Sequence, residues 1–235
     1  MLKTFPTGGV HPPENKLTAG IPIEYLPVPE KVVIPMSQHI GAPANPLVAK
    51  GDNVKIGQLI AEGKGFVSAN IHSPVSGKVS KIDTAADSSG LKQPAVFIDV
   101  EGDEWVEGID RGKELVRDIK LSSEEIVKKC FESGIVGMGG ATFPSHIKLN
   151  IPSGKKCDVL IINGVECEPY LTSDHRLMLE KGEEILVGVS ILMKALKVKK
   201  AMIGIENNKP DAISHLTTLA ASFAGISVHS LKVKY

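Results

Sequence analysis

Cys157-Asp-Val-Leu-Ile-Ile162, followed without a break by Asn163-Gly-Val-Glu166-Cys167-Glu168-Pro169-Tyr170, is the stretch on which the fold turns. The first six residues form a strand-like apolar run, and Asn-Gly ends it. Beyond it, residues from about His175 to Val198 place Ile185, Val189, Leu192 and Leu196 on one helical face, and Ala201 to Ile205 reads as a second strand. Pro210 then opens a helix bearing Ile213, Leu216, Ala220 and Phe223, Gly225 ends it, and Ile226 to Tyr235 reads as a third strand.

Strand-helix-strand-helix-strand implies a parallel, Rossmann-like sheet. In open parallel sheets the ligand crevice lies beyond the carboxyl ends of the strands, where Asn163 to Pro169 falls. Two carboxylates, an amide and a thiol are costly to leave idle there, which points to a ligand rather than to packing. A solvated loop is the plainer alternative.

Upstream, Ser122 followed by Glu125 forms a capping box. Ile126, Val127, Cys130 and Phe131 then make an apolar stripe, which reads Cys130 as a core residue, and Gly134 closes the helix. The loop Gly134-Ile-Val-Gly137-Met-Gly139-Gly140-Ala-Thr-Phe143-Pro144-Ser-His-Ile-Lys148 follows this helix rather than a strand, which excludes the ordinary dinucleotide fingerprint, and its spacing is not that of a Walker A loop. Closely spaced glycines let backbone N–H groups approach a phosphate or a flat polar ring edge. Alone, such a cluster indicates a tight turn; together with Asn163 to Pro169 it indicates a ligand.

From Leu47 to about Val100 the pattern changes to short alternating runs with regularly spaced turn residues, an all-β signature. Val48-Ala-Lys-Gly-Asp-Asn-Val54, Gly57-Gln-Leu-Ile60 and Ile71-His-Ser-Pro-Val-Ser-Gly-Lys-Val79 resemble the barrel-sandwich fold of biotinyl and lipoyl carrier domains. The tip Glu62-Gly-Lys-Gly-Phe66 does contain Lys64, but the Met-Lys-Met or Asp-Lys-Ala setting of a modified lysine is absent, and turn chemistry accounts for the residues. His72 and Pro74 read as strand-end packing. Residues 1–46 are dense in Pro and Gly, including Gly8-Gly9 and Pro12-Pro13, which predicts an extended segment docked on a neighbour, with a short strand at Lys31 to Ile34. Residues 101 to 120 read as a charged connector. The expected organisation is therefore a Pro/Gly-rich segment at 1–46, a barrel-sandwich hybrid domain at 47–105, and a Rossmann-like domain at 106–235.

The 235 residues carry 27 Lys plus Arg against 27 Asp plus Glu, so no net field favours nucleic acid. No run of eighteen apolar residues and no signal peptide is present, which predicts a soluble chain able to dock on a membrane partner. Cys130, Cys157 and Cys167 are scattered without a C-x-x-C pair, so no cysteine-bound metal cluster is expected here.

Gly-x-Gly-Gly-x-x-Phe-Pro-x-x-x-Lys and Asn-x-x-Glu-x-Glu-Pro resemble motifs of the flavin- and NADH-binding subunit of respiratory complex I. Nearly the whole chain resembles the RnfC subunit of the Rnf electron transport complex more closely. This likeness includes Thr7-Gly-Gly-Val-His-Pro-Pro13, the sandwich unit, Tyr170-Leu-Thr-Ser-Asp174-His-Arg176 and Gly204-Ile-Glu-Asn-Asn-Lys-Pro210. The resemblance implies that Gly137, Gly139 and Gly140 lie against FMN and nucleotide, that Phe143 stacks on a ring, and that Lys148 sits near the flavin's pyrimidine edge. It also implies that Asn163 and Glu166 hydrogen-bond FMN and that Glu168 helps seat the nicotinamide. Cys167 and Tyr170 depart from the complex I pattern.

The implied activity is NADH oxidation through FMN, with electrons released singly to iron–sulfur clusters and on to ferredoxin. It would belong to a peripheral subunit on the cytoplasmic face of a membrane-bound, ion-translocating complex, working with the other subunits. The family's two 4Fe–4S clusters lie in a later region, so the chain is expected to be an N-terminal piece holding half a flavin pocket, inactive alone. The alternatives are a soluble NADH-dependent flavin reductase, such as a cobalamin reductase, and a non-catalytic biotinyl-like docking module.

Overall fold

The computed structural model describes residues 10, 12–87, 90–112 and 114–233. Thr7, Gly8, Gly9 and His11 of the opening motif and the end of the expected third strand at Tyr235 lie outside them. The chain divides into two compact units. One combines the segment up to Tyr25 with Leu115–Ser123 and everything from Ile151 onward; the other combines Leu26–Glu114 with Glu124–Asn150. These units partition the chain differently from the three segments read along the sequence, because the chain passes between them several times.

The all-β part of the second unit is built from β1 (Lys31–Pro35), β2 (Asn45–Pro46), β3 (Asn53–Val54), β4 (Leu59–Glu62), β5 (Ile71–His72), β6 (Gly77–Ala86) and β7 (Lys92–Val100). Two antiparallel sheets result, of order β1-β7-β6-β3 and β2-β4-β5. Alternation along the strands sends Ile34, Val54, Ile60, Ile71, Val79, Val96 and Ile98 into one core with Met36. Gly77 is required at the start of β6. Its φ is 151°, and a Cβ there would lie 2.1 Å from the Asp99 carbonyl oxygen. Lys64 and Phe66 stand exposed on the connection between β4 and β5. The barrel-sandwich expectation agrees with this architecture.

The same unit contains α1 (Ser123–Glu132) and α2 (Ser145–Leu149). Gly134, at φ 64°, closes α1 as expected, with the Gly134 and Ile135 amides donating to the Phe131 and Cys130 carbonyls at 3.0 and 2.9 Å. Cys130 is only half-buried, and burial pushes its thiol pKa up, in keeping with a packed rather than a reactive cysteine.

In the first unit, β8 (Leu160–Gly164), α3 (Ser173–Glu180), α4 (Gly182–Ala195), β9 (Ala201–Glu206), α5 (Pro210–Ala220) and β10 (Ile226–Leu231) follow in order. The sheet is parallel, of order β10-β9-β8, as the alternation predicts. Ile203, Ile205, Leu186 and Leu216 are fully buried in its core.

Several boundaries differ from the sequence expectation: the helix opened by Pro210 ends at Ala220, so Phe223 and Gly225 lie beyond it, and the strand from Ile226 ends at Leu231. The strand expected from Cys157 begins at Leu160, three residues later. The single helix expected from about His175 to Val198 is two helices, broken at Lys181, whose φ of −130° is not helical. Tertiary packing overrides the apolar period there. Gly182 is wedged so closely on α5 that a Cβ would lie 2.8 Å from Leu219 and 3.0 Å from His215. Leu216→Ala is expected to lower stability by about 2–5 kcal/mol, because the fully buried site leaves a cavity; urea melts check this.

Candidate functional site

The two sequence motifs stand in different compact units, and each loop has its own geometry. The glycine loop turns back on itself. The Gly137 amide donates to the Phe143 carbonyl at 2.9 Å and the Ser145 amide to the Ile135 carbonyl at 2.9 Å, around a Val136–Pro144 bridge. Between these ties, the N–H groups of residues 138–142 enter no hydrogen bond among the described residues. Gly140, at φ 113°, needs to be glycine for its backbone alone. Gly139 does not: its φ is ordinary, and nothing lies within 4 Å of where its Cβ would sit. A side chain is missing there that the fold itself would tolerate, which leaves open backbone where a ligand could approach.

Lys148 lies on α2, a short helix in what the sequence suggests is loop. Its Nζ stands 5.9 Å from the Phe143 ring centroid, and a side chain at Gly137 would come within 2.7 Å of it. Phe143 is half-buried and Lys148 exposed. On the other flank of α2, His146 packs edge-on against Phe131 with its Nδ1 buried and unpartnered, and burial lowers its pKa. Free amides, a bare backbone and one cation suit an anionic planar ligand, so the residues present fit such a group.

In the other unit, β8 delivers Asn163 and Gly164 to the carboxyl edge of the sheet, opposite Gly204 and Ile205 of β9. Asn163 Oδ1 accepts from the Val165 amide at 3.0 Å, closing a local turn, and among the described residues its Nδ2 meets no acceptor. Glu166 is buried, and its carboxylate faces inward. Oε1 accepts from Ser173 Oγ at 3.1 Å and the Asp174 amide at 2.8 Å, and Oε2 from the His175 amide at 3.4 Å. It thus satisfies the orphan donors at the start of α3, as an N-cap would, and favours the helix dipole. Cys167 is partly covered, Glu168 is exposed, and Tyr170 is exposed at φ 70°.

Beneath the loop lies an ion pair to which the sequence alone assigns no role. Lys209 Nζ donates to Glu206 Oε2 at 2.6 Å with both side chains almost wholly buried, and the same Oε2 accepts from the Glu166 amide at 3.2 Å. Such a pair is costly to bury and costlier to split. The signal available in sequence is its position: Glu206 ends β9 at the ligand edge, with Lys209 three residues on. Asp174 at the rim has its carboxyl pKa raised, first by desolvation and then by the Glu166 carboxylate, against the opposing pull of Lys209. A second contact fixes α3 to α5: buried His175 donates from Nε2 to Asp211 Oδ1 at 2.9 Å. Burial pushes the Asp211 carboxyl up, but the His175 and Ala212 hydrogen bonds outweigh it and hold it below its ordinary range. Among the described residues there is no group of His, Cys, Asp or Glu able to hold a metal, and no helix is long and apolar enough to cross a membrane.

Glu166→Ala is expected to cost about 1–3 kcal/mol, since it strips acceptors from the part-buried Asp174 amide and the buried His175 amide at the start of α3; chemical denaturation reads it. A carboxyl depressed on folding stabilises the fold above the unfolded carboxylate's pKa and loses that contribution as pH falls through the folded one. Asp211→Asn should therefore lower stability at neutral pH by no more than about 1 kcal/mol for a half-exposed group. The gap to wild type should close on acidification below the carboxylate range, as melts across pH would show.

Comparison with known proteins places both units in family context. Residues 3–103 match the RnfC barrel sandwich hybrid domain and residues 130–235 the Nuo51 FMN-binding domain. The C subunit of the proton-translocating ferredoxin:NAD(+) oxidoreductase complex of Clostridium ljungdahlii is 51% identical over 239 residues, covering 100% of this chain and 51% of that protein. The corresponding C subunit of the Na(+)-translocating complex of Acetobacterium woodii is 43% identical, covering 97% of this chain and 51% of its own length. The C subunit of the ion-translocating oxidoreductase complex of Rhodobacter capsulatus is 47% identical, covering 89% and 40%. The chain spans about half the length of the first two relatives, and it belongs to the RnfC family of Rnf complex subunits, joining that family's barrel-sandwich hybrid domain to an FMN-binding domain of the complex I type.

Proposed function

We propose that this chain is the FMN- and NADH-binding part of an RnfC subunit in a membrane-bound, ion-translocating ferredoxin:NAD oxidoreductase complex. The observation that carries the proposal is the glycine loop, with its unused amides at 138–142, the bare backbone at Gly139, and Lys148 beside Gly137. The matched FMN-binding domain and the names of the relatives support the same reading.

Gly137, Gly139 and Gly140 supply amide donors without side-chain obstruction, and Phe143 offers a ring face for stacking. Lys148 is the cation that favours the negative charge gained on reduction. On the strand-end loop, Asn163 Nδ2 and Glu168 are the polar groups that the family resemblance assigns to FMN and to the nicotinamide. Glu166, assigned to FMN by the family resemblance, acts in this proposal through the shape of that loop, since its oxygens already serve the α3 N-terminus. FMN, when bound, accepts two electrons together and gives them up singly. The clusters that receive them are assigned to the part of the relatives this chain does not span, and ferredoxin is met indirectly through other subunits. Attachment is proposed to be peripheral, at the cytoplasmic face, through those subunits.

The test uses the full-length gene product. Lys148→Ala should retain FMN roughly tenfold less tightly, on the scale of one lost charged hydrogen bond, and its NADH-driven bleaching should slow. Flavin fluorescence during dialysis and anaerobic absorbance read the two effects. Equal retention and bleaching in the variant and wild type would remove Lys148 from the site, and a wild type that binds no FMN would sink the proposal.

A further inference from the structure

The Pro/Gly-rich segment before Tyr25 is tied along α3 and the loop that precedes it. The Tyr170 amide donates to the Glu14 carbonyl at 2.9 Å, Thr18 Oγ1 meets Thr172 Oγ1 at 2.6 Å, Arg176 Nη1 donates to the Ala19 carbonyl at 3.2 Å, and the Ile23 amide donates to Glu180 Oε1 at 3.0 Å. At the centre of this strap, Lys16 Nζ donates to three backbone carbonyls of one loop: Glu166 at 2.9 Å, Glu168 at 2.8 Å and Leu171 at 2.7 Å.

An ammonium carries three donors, so all three are used, and every acceptor is an uncharged carbonyl. Three carbonyl dipoles aimed at one point repel each other unless a cation sits between them, as in carbonyl rings that coordinate ions. The loop also bends through a positive φ of 70° at Tyr170, a conformation that a non-glycine residue holds only when its surroundings impose it. The bond from the Tyr170 amide to Glu14 and the Lys16 cage are two of those surroundings.

We propose that Lys16 is a positioning residue for the Asn163–Tyr170 loop, its ammonium acting as a built-in cation in a three-carbonyl cage and holding Glu168 in its nucleotide-binding position. The functional half of this inference rests on the proposed NADH site; the structural half does not. Because the cage is only partly buried, it is open to small cations once the lysine side chain is removed. Arginine is no substitute, since its donors are spread over a planar fork and cannot converge on a point.

The experiment is Lys16→Ala and Lys16→Arg in the full-length protein, with hydrogen exchange and NADH kinetics measured in matched salt with ammonium or tetramethylammonium. Both variants should lose amide protection over residues 164–172 while β9 and α5 keep theirs, which shows that the fold persists. The NADH KM of Lys16→Ala should rise roughly tenfold, the scale of losing charge-assisted hydrogen bonds, with kcat changed less than about twofold. Ammonium should restore both protection and KM in Lys16→Ala, whereas tetramethylammonium, which has no N–H, should not. Unchanged protection in the alanine variant, full protection in the arginine variant, or equal effects of the two salts would each overturn the cage. Should protection and rescue behave as expected while wild type fails to oxidise NADH, the cage stands and the functional proposal is what falls.

Discussion

Parallel pairing of β8 with β9 is the constraint on which the candidate site depends. The register sets Asn163 beside Gly204 and Gly164 beside Ile205, so β8 ends one residue short of Glu206, the last residue of β9. The strands approach closely enough that a Cβ on Gly164 would lie 2.9 Å from the Gly204 carbonyl. From that edge the chain must turn at once into α3. Glu166 makes the turn possible by taking the first amides of the helix, while its own amide is anchored on Glu206 at the end of β9. One residue thus ties strand end, loop and helix start, and the buried Lys209 neutralises the Glu206 charge beneath it.

The glycine loop follows a different logic. Its ends are closed by backbone hydrogen bonds, and its middle is left without them. An exposed turn can leave amides to water, so free N–H groups alone do not call for a ligand. Gly139 adds weight because neither its backbone angle nor its surroundings require a glycine. Where the fold is indifferent, the missing side chain leaves backbone open to a ligand, and a bound planar anion is consistent with Lys148 close by.

Much of the architecture was legible in the sequence because it rests on local signals. Alternating runs with regular turns marked the antiparallel sheets, and the strand–helix alternation marked the parallel one. Pro210 and Gly134 marked the helix start and the helix end where they are observed. The break at Lys181 was not legible, because it arises from the close seating of Gly182 on α5, a tertiary contact invisible to periodicity. For the same reason Glu166 read as a ligand group: sequence shows a carboxylate at a strand end but not which amides it meets. The burial of Glu206 with Lys209, and the convergence of Lys16 on carbonyls at least 150 positions away, depend on pairings that spacing does not encode.

The strap that carries Lys16 also constrains how the chain reaches its final form. Glu14 to Ile23 leave the ribosome early, yet their acceptors and donors on residues 166 to 180 are made much later. Closing so long a loop has an entropic penalty that grows only as the logarithm of its length, about 0.6 kcal/mol for each doubling, so the delay rather than the distance is the main difficulty. Until that encounter these groups lack their final partners, and Pro22 keeps any helix from running through to Ile23 in the meantime. The strand-end loop therefore takes its final shape only once residues 14–23 and 166–180 are both present to meet.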